Sequence, residues 1–174
     1  MRSGTKMTIG KRLFLLILAA SIGLVGLAGV GYYQIGKVFN NANEVNVNSL
    51  PSILILNQAR QAFNSMRIQV STHVLSFDAV KKAEMESNIK SYRENIESSL
   101  KQYEALISDA TDKGMLEADH AALNEFYPRM EAVLALSREN RLEEARDYYM
   151  SNGPFAQKIN SALTAHGTYN IAIA

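Results

Sequence analysis

Between Leu13 and Tyr33 the sequence runs for 21 positions without a charged side chain. At 1.5 Å per residue, about 20 apolar residues span the ~30 Å hydrocarbon core of a bilayer. The run therefore predicts a transmembrane helix and confines every folded domain to the polar residues on one side of it. Arg2, Lys6, Lys11 and Arg12 precede the run, whereas only Lys37 lies within the dozen residues that follow. Short flanks rich in Lys and Arg stay cytoplasmic, so the reading is 1–12 cytoplasmic, 13–33 spanning, and 34–174 outside the cytoplasm. Tyr32 and Tyr33 suit an aromatic belt at the outer interface. The alternative is a cleaved signal peptide with Gly26, Ala28, Gly29 and Gly31 near the processing site, but the apolar run exceeds the 7 to 15 residues of a signal core.

Composition narrows the function classes. No cysteine is present, so there is neither a disulfide framework nor a thiolate metal site. Without the four basic residues at the start, 14 Lys and Arg face 17 Asp and Glu, a formal charge of −3 that argues against a nucleic-acid partner. There is no phosphate-cradling glycine loop, nucleophile elbow or zinc-protease motif, and no cofactor is expected. His73, His120 and His166 are far apart in sequence. Glu117 with His120 is a single acidic-plus-histidine pair, whereas helical di-metal sites need two such pairs and two further carboxylates, so no metal site is expected.

From Val45 onward the apolar residues recur at steps of three and four. Leu56, Ala59, Phe63, Met66, Val70, His73 and Phe77 form one heptad seam, and Met85, Ile89, Tyr92, Ile96, Ser99, Tyr103, Leu106 and Ala110 form a second. Asp78 is a candidate cap between them, and the second helix is expected to stop near Asp112-Lys113-Gly114, where glycine can adopt the left-handed conformation. Leu116, Leu123, Phe126, Met130, Val133 and Ser137 continue as a third seam, which Asp119 interrupts; Pro128 predicts a kink. A turn at Glu139-Asn140-Arg141 leads to a fourth helix from Leu142, where Glu143 and Glu144 suit the helix dipole. Gly153-Pro154 should interrupt it before Phe155, Ile159, Ala162 and Leu163. Only 20 residues follow Pro154, so this last helix is read as truncated or shorter than its partners. Pro51 marks either the start of the first bundle helix or a mild kink in a continuous one. The fold class is all-α, a transmembrane helix followed by an antiparallel up-down four-helix bundle.

The basic N-terminus, the single span, the Asn-rich stretch ending in Ser49-Leu50-Pro51, the four amphipathic helices and the Leu142-Glu143-Glu144-Ala145 junction together resemble the start of a bacterial methyl-accepting chemotaxis receptor with a four-helix-bundle ligand-binding domain. Related bundles also serve sensor kinases and nucleotide cyclases. The resemblance implies a periplasmic sensory input in the inner membrane, acting as a homodimer, with a small carboxylate ligand or a periplasmic binding protein as partner. Family members continue into a second span, a HAMP linker and a cytoplasmic coiled coil.

Arg60 and Arg67 are seven residues apart and so share one side of the first bundle helix, each directly after a seam residue. Paired guanidinium forks at such a position can grip a carboxylate, or they can pair with neighbouring Glu side chains. The resemblance places Gln58-Ala59-Arg60 on the first ligand-binding arginine of amino-acid and organic-acid receptors, whereas Arg67 does not align with the others. It also implies an opposite wall from the fourth helix, here Tyr148, Tyr149 and Asn152. His73 is expected to be a packing residue, and Glu94, Glu97, Arg93 and Lys101 a solvated face. Ala19 and Gly23 form a small-xxx-small pair that weakly favours dimerisation. A membrane-tethered structural or protein-binding bundle is the alternative function.

Overall fold

The computed structural model describes residues 8–174, with the side chains of residues 40–44 undescribed; Arg2 and Lys6 of the basic flank lie outside the described residues. The chain divides into two units, 1–43 and 44–174. In the first, α1 (Ile9–Glu44) contains a stretch from Ile9 to Phe39 long and apolar enough to cross a membrane, in which Leu13, Phe14, Leu16, Ile22, Leu27 and Val30 are all exposed. No strand occurs among the described residues.

The second unit begins with a wide π-helical turn, Val45–Ser49, and continues as α2 (Leu50–Leu75). Pro51 follows just after that turn, with Ser49 before it still in helical conformation, so the amide it lacks removes one helical hydrogen bond from the chain. The preceding π turn loosens the backbone at the point where the proline ring would otherwise strike the carbonyl four residues back. Pro51 therefore stands at the start of the first bundle helix, just after a locally widened turn.

Ser76 to Asp78 connects α2 to α3 (Ala79–Tyr103). Asp78 caps α3 as expected, accepting from the amides of Val80 at 2.9 Å and Lys81 at 3.3 Å. The end of α3 corrects the sequence reading. The helix stops at Tyr103, tightens into a 3₁₀ turn at Glu104–Leu106, and α4 (Ala110–Arg138) starts before Gly114. Asp109 is the reason: its carboxylate accepts from the amides of Thr111 (2.8 Å) and Asp112 (2.9 Å), and Asp112 folds back onto the Ser108 amide at 2.8 Å. These caps satisfy the first free donors of α4, and Gly114 is an ordinary interior position with negative φ. Leu106, on the 3₁₀ turn, and Ala110, the first residue of α4, consequently fall off the α3 seam.

The fourth bundle element is broken as its Gly-Pro pair requires. Asn140 takes φ 56° in the turn after α4, α5 (Leu142–Ser151) follows, and α6 (Gly153–Ile173) restarts with Pro154 in its first turn. α4 runs unbroken through Pro128, whose ring is exposed.

Packing is pairwise. α2 lies mainly against α3 and α4 mainly against α6, with α2 also meeting α6 and α5. The seams fill the space between them: Leu56, Phe63, Met66, Ile96, Leu100, Leu123, Met130, Leu134 and Ile159 are each no more than 2% exposed. Phe63 and Phe126 meet edge to face with centroids 5.3 Å apart. Arg93, Glu94 and Lys101 lie exposed as expected of a solvated face, and from it the Arg93 and half-exposed Glu97 side chains also hold Tyr127 of α4. The guanidinium sits 4.0 Å from the ring centroid and the phenol donates to Glu97 at 2.9 Å.

Candidate functional site

The α2 face next to α5 and α6 carries polar side chains at helical spacing, namely Arg60, Asn64, Arg67 and Ser71. Between α2 and α5 they leave an open groove lined by Asn64, Arg67, Ile68, Ser71, Thr72 and Tyr149. The Tyr149 hydroxyl reaches the Arg67 backbone carbonyl at 3.5 Å, the limit of a hydrogen bond. Arg67 is half-buried, its guanidinium 5.9 Å from the Phe63 centroid, and it forms no ion pair among the described residues. The groove thus offers one uncompensated cation, one phenol and several neutral hydrogen-bonding groups.

Arg67 and Tyr149 are therefore brought together, while the other candidate residues sit elsewhere. Arg60 lies two turns along α2 from Arg67 and donates to Asn57 Oδ1 at 3.0 Å. Tyr148 packs against the hydrophobic core. Asn152, 3% exposed, turns inward at the α5 to α6 junction; its Nδ2 approaches the Arg129 carbonyl at 3.5 Å and its Oδ1 has no partner. Arg129 itself stacks on Phe155, 3.6 Å from the ring centroid.

Two polar clusters built on buried histidines have no counterpart in the sequence reading; the first reaches the surface through Glu86 and Arg138. In it, His73 holds Ser137 at 2.9 Å and Glu86 at 3.0 Å, and Glu86 receives both nitrogens of an Arg138 fork at 2.8 and 3.0 Å. The Lys82 ammonium donates to the Ser137 carbonyl and, at 3.2 Å, to Asn140. Burial, with Lys82 and Arg138 nearby, pushes the His73 pKa below its ordinary value despite Glu86. The Arg138 fork holds Glu86 below the usual carboxylate range.

The second cluster joins α3, α4 and α6. His166 lies between Asp112 (Nε2 to Oδ1, 2.7 Å) and Asp119 (Nδ1 to Oδ2, 2.6 Å), all three at most 1% exposed. The Tyr103 hydroxyl donates to Asp112 at 2.5 Å and accepts from Asn170 Nδ2 at 2.6 Å, and its ring meets His166 edge to face at 4.7 Å. Burial alone would lower the His166 pKa, but the bonds and charges of Asp119 and Asp112 outweigh it and hold the ring above its ordinary value. Burial raises Asp119, offset only in part by His166. It works against the Asp112 carboxylate as well, yet the donors Tyr103, Ser108 and His166 bring that group below the ordinary range. Asp119 is accordingly no interruption of the third seam but a buried member of it.

Searches of curated proteins and of solved structures returned no match. The family described as a four helix bundle sensory module for signal transduction matches residues 6–174. With an apolar helix followed by antiparallel helices whose seams close one core, the chain belongs to this family of four-helix-bundle sensory modules, the N-terminal sensory domain of chemoreceptors.

Proposed function

We propose that the chain is the periplasmic input of a chemoreceptor that binds a small carboxylate, an amino or organic acid, in the groove between α2 and α5. The observation that carries this reading is Arg67, a half-buried residue that forms no ion pair among the described residues and lines a polar groove together with Tyr149. A carboxylate there gains charge-assisted bonds at a partly desolvated site, where they are stronger than in open water. Lys11 and Arg12 before the apolar run support a cytoplasmic N-terminus and an outward bundle. The module itself is non-catalytic, and ligand acts by differing in affinity between two arrangements of the helices.

A homodimer through α2 completes this reading. Leu54, Ile68 and Leu75 lie at heptad multiples on one face of α2 and are 53%, 62% and 71% exposed. Such a stripe favours a second copy, and its cover would enclose the groove beside Ile68. The test is a thermal-shift series on the full chain in lipid nanodiscs against amino and organic acids. Ligand at about 100 times its dissociation constant stabilises the folded state by about 2.7 kcal/mol. Stabilisation by a carboxylate that Arg67→Ala removes supports the site; no response to any carboxylate, or one that Arg67→Ala leaves intact, rejects it.

A further inference from the structure

Ligand binding between α2 and α5 makes no use of the Asp112, His166 and Asp119 cluster, although it places three ionisable groups out of water between two helices. We propose that this cluster is a proton-binding site that fastens α6 to α4, and that loss of its proton on alkalinisation shifts α6, making the bundle responsive to pH.

Both ring nitrogens of His166 face a carboxylate oxygen, at 2.7 and 2.6 Å, and each contact is attractive only with a hydrogen in it. Two protons fill them, either both on the ring or one on the ring and one on Asp119. In either form the cluster carries one net negative charge, which the Tyr103 hydroxyl and the Ser108 amide and hydroxyl solvate at Asp112.

Removal of one proton sets a bare nitrogen lone pair against a carboxylate and leaves two unneutralised anions in the interior. No lysine or arginine pairs with either carboxylate among the described residues. The contact is then repulsive, and separation of α6 from α4 relieves it by admitting water. Addition of a proton has a different outcome. Asp119 Oδ1 is buried and has no hydrogen-bond partner, so it accepts the proton while the Oδ2 contact to the ring persists. The site therefore tolerates acid and yields to base.

The groups facing it from each packed element agree with this direction. α2 contributes Ser52, which is neutral and bonds to Tyr103, and α3 contributes Tyr103, whose own ionisation burial pushes far up. The connection to α4 contributes Ser108 and Asp109, a further anion beside Asp112 that likewise favours a proton on the cluster; α4 contributes the two aspartates with His120 acting on Asp119 from outside, and α6 contributes Asn170 and Tyr169, whose phenol donates to Asp109. The carboxylates that hold the His166 pKa above its ordinary value put deprotonation on the alkaline side of that value. His73, flanked by Lys82 and Arg138, titrates on the acid side and is separable.

The test uses the full chain in lipid nanodiscs. Histidine ring resonances are followed from pH 5 to 10, with the three histidines assigned by His73→Gln and His120→Gln. In parallel, electron-spin distances are measured between labels at Ala121→Cys on α4 and Ala165→Cys on α6. Both positions are exposed, and the chain has no other cysteine to label. The expected result is a His166 midpoint above the ordinary histidine value of about 6.5, with the distance between α4 and α6 changing over the same pH range. Asp119→Asn should lower that midpoint by about one unit, a tenfold loss of proton affinity, and leave the distance at pH 6 unchanged. A distance that stays constant while His166 titrates, or a ring that never titrates between pH 5 and 10, overturns the proposal. So does a midpoint indifferent to Asp119→Asn. Should that variant not fold, the two unsubstituted readouts decide.

Discussion

His166 of α6 and Asp119 of α4, 47 residues apart in the chain, meet at 2.6 Å with neither side chain more than 1% exposed. Asp112 completes the same ring's partners, so one histidine ties its helix to two points of another that lie two turns apart. The two carboxylates are not equivalent. Asp112 uses both oxygens and collects bonds from Tyr103, Ser108 and His166, whereas Asp119 has one partner and one orphaned oxygen. Asp112→Asn is therefore expected to destabilise the bundle by about 3 to 5 kcal/mol, the range for breaking a buried pair. Asp119→Asn should cost about 1 to 3 kcal/mol, since it disturbs a single contact. Urea unfolding of the two variants by far-ultraviolet circular dichroism gives the comparison; equal losses would mean that the orphaned oxygen does not matter.

The two buried histidines set opposite limbs of a pH profile. His166 has a folded pKa above its unfolded value of about 6.5. Its contribution is complete below that value and is lost as pH rises through the folded one. His73 is depressed, so the native state favours its neutral ring. That contribution is present above about 6.5 and declines as pH falls toward the folded value. Thermal melts should show a maximum near neutrality, with His73→Gln flattening the acid limb and sparing the alkaline one. A change in the alkaline limb of that variant would show the clusters to be coupled.

Tyr103 closes the second cluster by donating to Asp112 and accepting from Asn170. Tyr103→Phe retains the edge-to-face ring contact with His166 but leaves Asp112 short of a donor and Asn170 of an acceptor. A loss of about 2 kcal/mol is expected, within the range for stranding a buried polar group. Measurement at pH 6, below the ordinary histidine value, keeps the cluster's protonation constant and isolates this effect; a loss below about 0.5 kcal/mol would imply that water replaces the hydroxyl.

Much of this architecture is legible in spacing. The heptad steps marked α2 through His73, and Asp78, Asn140 and Pro154 announced their turns through cap and backbone chemistry. The third seam, extended backward from Leu123 by the same alternating steps, falls on Asp119, Leu116 and Asp112, all buried. The step from Leu163 falls on His166 and then Asn170, also buried. The register of the cluster was therefore present in the sequence, hidden by the expectation that polar residues break a seam. What spacing cannot give is the pairing across helices. That Asp119 meets His166, that Arg93 and Glu97 fold over Tyr127, and that Arg67 rather than Arg60 lines a groove with Tyr149 all follow from how separate helices dock. The misplaced end of α3 has a local cause: Asp109 competes with Gly114 to punctuate the chain, and two amide bonds to a carboxylate prevail.

Phe63 and Ile68 stand on the buried and the exposed face of one helix. Phe63 is fully buried against Phe126, so Phe63→Ala should cost about 3 to 5 kcal/mol by losing apolar burial and leaving a cavity. Ile68 is 62% exposed in the single chain, and a solvent-facing substitution there changes stability by no more than about 0.5 kcal/mol. If a second copy covers Leu54, Ile68 and Leu75, however, Ile68→Glu buries a carboxylate in an apolar seam and repels its symmetry mate. Sedimentation equilibrium of the full chain in density-matched detergent should then show dimer for the unsubstituted protein and for a Gln61→Glu control lowered only modestly. Ile68→Glu should be mainly monomer with unchanged helix content. Gln61 occupies the same heptad position but is already polar, so its substitution measures added charge without the loss of an apolar contact. Monomer in all three would remove α2 as the dimer face and leave the exposed stripe to a different partner.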